Sequence, residues 1–123
     1  MKTIGKANAH TVRRYMTVFD RSKNDYVPLE AAVLKARLAL TPNGVPTAEI
    51  PGNGTDTFLT VTEITMTMGF PGYYDGMFDQ TELDLALDPL DGQDVYEVVR
   101  TGDGSYIDNA RLRVANVRFV AQL

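Results

Sequence analysis

The sequence predicts a mainly β protein, either all-β or with one short helix, arranged as an antiparallel sandwich or a small barrel with hairpin connections. Two observations carry this. Turn dipeptides recur along the chain, at Asn43-Gly44, Asn53-Gly54, Asp75-Gly76, Asp91-Gly92 and Gly102-Asp103-Gly104. Asn-Gly and Asp-Gly accept positive φ and so suit tight hairpins. Between them lie short runs rich in β-branched and aromatic residues, several alternating apolar and polar with period two. With 123 residues, 44% of them hydrophobic and none cysteine, one β-domain over 1–123 is expected, with residues 1–10 as an N-terminal arm. A chain of this size can bury a core without disulfides.

The elements follow in order. The polar arm is poor in core formers, and order in it requires packing on its own domain or on a neighbour. Thr11 to Phe19 reads as a strand. Residues 28–40, PLEAAVLKARLAL, are ambiguous. Pro28 and the following Thr41-Pro42-Asn43-Gly44 resemble helix punctuation and favour a short helix, whereas Leu34, Ala36, Leu38 and Leu40 alternate with Lys35 and Arg37 as in a strand. Between Thr57 and Met68 the apolar phase shifts, from Leu59 and Val61 to Ile64, Met66 and Met68, which predicts a bulge near Thr62-Glu63 or a strand that changes packing environment. Leu83, Leu85 and Leu87 alternate with acids and read as a half-exposed strand. Pro89 to Gln93 then forms a hairpin loop into a second strand, Asp94 to Arg100. The last run, Arg111 to Leu123, carries a second phase shift near Ala115-Asn116.

Charge is segregated. Residues 1–40 carry eight Lys/Arg against three acids, residues 41–110 thirteen acids against Arg100, and residues 111–123 three arginines and no acid, for a net −4. Such blocks either neutralise one another within the fold or form complementary docking faces. An acidic chain without a concentrated basic patch argues against nucleic acid as a partner. The N-terminus lacks the apolar run of a signal peptide and no stretch approaches a membrane span, so a chain cytoplasmic at synthesis, with a virion as a further destination and no membrane partner, is expected.

Few residues suit catalysis. His10 is the only histidine, and Ser22 and Ser105 are the only serines, both in turn-like segments. A serine triad or a zinc site is therefore not expected. Neither the acids around Gly92 nor those from Asp20 to Asp25 match the spacing of a calcium-binding EF-hand loop. No metal and no cofactor are expected. Asn53-Gly54-Thr55 is a glycosylation sequon by letter only.

The stretch MGFPGYYDGMFD, residues 68–79, holds four aromatic side chains among three glycines. Phe70, Tyr73, Tyr74, Asp75, Met77 and Phe78 are the candidate binding residues. The stretch either closes the protein's own core or inserts into a partner, because aromatics give large contact area at low entropic cost. Phe70 and Phe78 are expected to be the more buried, Tyr73 and Tyr74 the more exposed. The functional expectation is a non-catalytic structural protein with protein partners, self-associating or docking on a larger assembly. Size and composition make a phage capsid-decoration, neck or tail component of a virion one such assembly. The alternative is a small β-barrel, lined by some of Tyr15, Tyr26, Tyr73, Tyr74, Tyr96 and Tyr106 with a buried carboxylate, that binds or converts a small apolar ligand by acid–base chemistry.

Overall fold

The computed structural model describes residues 2–6, 8–30, 33–41, 57–102 and 107–116. The described strands are β1 (Thr3–Ile4), β2 (Thr11–Tyr15), β3 (Thr17–Asp20), β4 (Asp25–Pro28), β5 (Leu34–Thr41), β6 (Thr57–Phe58), β7 (Ile64–Thr65), β8 (Thr67–Phe70), β9 (Tyr73–Met77), β10 (Asp94–Thr101) and β11 (Ile107–Val114). Among the described residues one helix, α1 (Gln80–Leu87), precedes a 3-10 turn at Asp88–Leu90. The architecture is mainly β with one short helix, as expected, but the described strands form separate sheets and none closes into a barrel.

The largest sheet runs β1-β11-β10-β5-β6, with β7 also pairing β5. β1 lies parallel to β11, and the other pairings in this sheet are antiparallel. A three-stranded antiparallel sheet runs β2-β9-β8, and among the described residues β3 and β4 pair only with each other. Alternation sends Leu34, Ala36 and Leu38 of β5, Val95 and Val99 of β10, and Leu112 and Val114 of β11 into one core. There they meet Val12, Met16 and Tyr74 from the second sheet, and Leu83 and Leu87 from the helix.

Two element assignments exchange places. Residues 34–41 form a strand, not a helix, because β5 sits between β10 on one side and β6 and β7 on the other, where its Leu/Ala alternation can be buried. The short helix lies instead at 80–87, where alternation suggested a strand. Leu83 and Leu87 are fully buried, whereas Leu85 is 75% exposed. Positions four apart share a face in either period, so only Leu85 separates the two readings. Asp79 starts the helix, its Oδ1 accepting from the Glu82 N–H at 2.9 Å in the role of an N-cap.

The phase shift after Leu59 is real but larger than one residue. Phe58 faces Ala39 and Ile64 faces Ala36, so one strand advances six residues while its partner advances three. An odd excess inverts the alternation. Thr62 closes the excursion by donating its Oγ–H to Glu82 Oε1 at 2.6 Å. Pro89 to Gln93 links helix to strand, not strand to strand. Asn43-Gly44, Asn53-Gly54, Asp103-Gly104, Tyr106 and the segment after Asn116 lie outside the described residues.

The N-terminal arm packs on its own chain. The Arg113 N–H donates to Lys2 O at 3.0 Å and the Ala115 N–H to Ile4 O at 2.9 Å, extending the large sheet by one short strand. Ile4 is buried. Lys6 pairs with Asp88 at the end of the helix, where a carboxylate is otherwise unfavourable against the helix dipole.

Candidate functional site

The stretch 68–79 is not a loop but a β-hairpin, β8–turn–β9. Pro71 and Gly72 make the turn, with Gly72 at φ 83°, while Asp75-Gly76, expected to turn, lies inside β9. Along β9, Tyr73, Asp75 and Met77 point outward and Tyr74 and Gly76 inward, with Phe78 buried beyond the strand end. Tyr74 is 3% exposed, and its hydroxyl donates to Leu29 O at 2.7 Å. The expectation of an exposed Tyr74 is thus corrected by the strand period. Phe70 is also corrected, at 74% exposed. The register slips between Met68 and Phe70, so that Met68 faces inward-pointing Tyr74 while Phe70 faces outward-pointing Tyr73. Phe78 is buried and Tyr73 exposed, as expected.

The outward aromatics form a row. Tyr15 and Tyr73 are cross-strand partners, with ring centroids 4.4 Å apart. A groove of about 480 Å³ runs over them, lined also by Arg13, Phe70, Tyr74 and Asp75. Four of the expected site residues therefore converge, Met77 is exposed farther along β9, and Phe78 belongs to the core. At Gly72 the row meets the β3–β4 hairpin: a Cβ there would stand 2.8 Å from Tyr15 Cε2 and 3.1 Å from Pro28 Cβ. That hairpin carries Phe19 and Tyr26 as cross-strand neighbours, edge to face at 5.2 Å and 45% and 66% exposed. Its ends are tied at one residue. The Met16 N–H donates to Gly72 O at 2.8 Å, and the Leu29 N–H donates to Met16 O at 2.9 Å. The turn at its tip is set by Asp20, whose Oδ1 accepts from the Ser22 N–H and Oγ–H.

Beneath the row lies a buried charged network absent from the sequence reading. Glu97 shares a face of β10 with Val95 and Val99 and is 5% exposed. His10 Nε2 contacts its Oε2, and Arg14 Nη2 lies 3.0 Å from its Oε1. Arg14 Nε donates to Asp108 Oδ2 at 2.5 Å. Arg14 belongs to the small sheet, Glu97 and Asp108 to the large one, so the guanidinium bolts one sheet to the other. Burial pushes the Glu97 carboxyl up, but the hydrogen bond with His10 and the Arg14 charge outweigh it and hold the group below its ordinary 4.5. Burial likewise opposes the Arg14 charge, and the bond to Asp108 and the charge of Glu97 raise it above its usual value. The sequence signal was present: a glutamate at an inward position of a valine-rich strand.

No family model, curated protein or solved structure matches this chain.

Proposed function

We propose that this chain is a non-catalytic structural protein that docks into a larger assembly through the aromatic row. One observation carries the reading: Tyr15, Phe19, Tyr26, Phe70 and Tyr73 are 45–74% exposed on adjoining strands. Large exposed apolar patches with polar surroundings mark interaction surfaces. The N-terminal arm, a second candidate for docking, is already occupied by its own sheet. A virion component remains among the assemblies that suit the chain's size and composition.

The alternative, a ligand-converting barrel, draws support from the buried Glu97 beside His10. Its carboxyl is held in the charged form by its partners, which suits an ion pair and not a general acid, whose pKa is raised. Of the tyrosines proposed to line such a barrel, Tyr15, Tyr26 and Tyr73 are exposed.

Site-specific photocrosslinking in the native cells tests the docking reading. A photoreactive phenylalanine analogue at position 73 or 26 is expected to give discrete higher-mass adducts, and one at position 85 on the helix none. Equal adducts from all three positions, or none from 73 and 26, would refute it.

A further inference from the structure

Resting on that docking reading, we infer that the aromatic row pairs with the same row on a second copy of this chain across a two-fold axis. Area is the first reason. At roughly 200 Å² per aromatic side chain, the exposed fractions of Tyr15, Phe19, Tyr26, Phe70 and Tyr73 amount to about 600 Å² per copy. Two copies then bury about 1,200 Å², the lower bound for a specific interface.

Charge is the second reason. The outward charged side chains flanking the row are Arg13 and Asp75, cross-strand partners, and Asp20, Arg21, Lys23 and Asp25 at the hairpin tip. The three acids and three bases cancel. A surface of zero local charge meets its own copy without repulsion, and two-fold symmetry requires such self-complementarity. A strongly charged partner would be matched by a surface of one sign, and the segregated acidic and basic blocks of the chain do not provide one here.

The shape permits the pairing. Among the described residues β3 and β4 bond only to each other, and the hairpin meets the row at Gly72, where an added Cβ would stand 3.1 Å from Pro28 Cβ. An isolated two-stranded hairpin is marginal in water. Contact with a second copy covers its aromatic face.

Sedimentation equilibrium of the purified full chain tests the inference. The expected result is a monomer–dimer equilibrium, with the dissociation constant raised about thirtyfold or more by Phe19→Ser with Tyr26→Ser and unchanged by Leu85→Ser on the helix. The substituted side chains are exposed, and circular dichroism verifies that each variant is folded. A wild-type chain that stays monomeric at about 0.1 mM overturns self-pairing, whereas the docking reading then stands or falls on the crosslinking from positions 73 and 26. A dimer that survives the double substitution unchanged overturns self-pairing through this row.

Discussion

Arg14→Met removes the guanidinium from a site where the Arg14 and Glu97 side chains are 14% and 6% exposed. Glu97 is then a buried carboxylate with half its partners gone. Breaking a buried pair from one side costs about 3–5 kcal/mol. His10 still contacts Glu97 and Asp108, 37% exposed, regains water, so the lower end of that range, about 3 kcal/mol, is expected. For a chain of this length that lowers the melting temperature by about 12 °C. Urea denaturation followed by circular dichroism measures the free energy directly.

The pH dependence has a definite sign. In the wild type the Glu97 carboxyl is depressed on folding, so its contribution is full above the ordinary glutamate range and is lost as pH falls through the folded value. Without Arg14 the folded carboxyl rises and takes up a proton more readily. The gap between wild type and variant therefore narrows as pH falls from neutrality through the ordinary glutamate range and on through the depressed wild-type value. Combining Arg14→Met with Glu97→Leu removes the orphaned charge, and the double variant is expected to be more stable than Arg14→Met alone. A cost below about 1 kcal/mol for the single change, or a double variant as unstable as two independent losses, would refute the role of this pair as a bolt between sheets.

Two further changes probe the frame that presents the row. Gly72→Ala forces a side chain onto φ 83° with Met16 O only 2.9 Å from the new Cβ, and is expected to cost about 1–3 kcal/mol, measured as a lower urea midpoint. Asp79→Ala removes the helix cap and is expected to cost about 1 kcal/mol, measured by thermal unfolding with the sheet signal otherwise retained.

Much of the fold was legible because β-branched and aromatic residues cluster where the strands lie. Asp94 to Arg100 lies within β10, and Thr11 to Phe19, expected as one strand from its β-branched and aromatic residues, is extended but breaks at Met16 into β2 and β3 of different sheets. Leucines at 83, 85 and 87 misled because a spacing of two over three residues fits a strand, and the helix signal lay outside the run, in the Asp79 to Glu82 cap. In the candidate site, Tyr73 and Phe78 followed expectation. Phe70 and Tyr74 did not, since a slipped register and a strand period decide their faces, and neither is written in local composition. The Glu97 network was missed because His10 and Arg14 meet it from far along the chain, a juxtaposition that only the stacking of two sheets creates.

The tie at Met16 bears on how the hairpin can turn. Both ends of the β3–β4 hairpin are fastened to the backbone of one buried residue, so Met16 is the pivot on which the hairpin sits. Rotation of the hairpin about that residue would turn Phe19 and Tyr26 together, as one unit, relative to the small sheet.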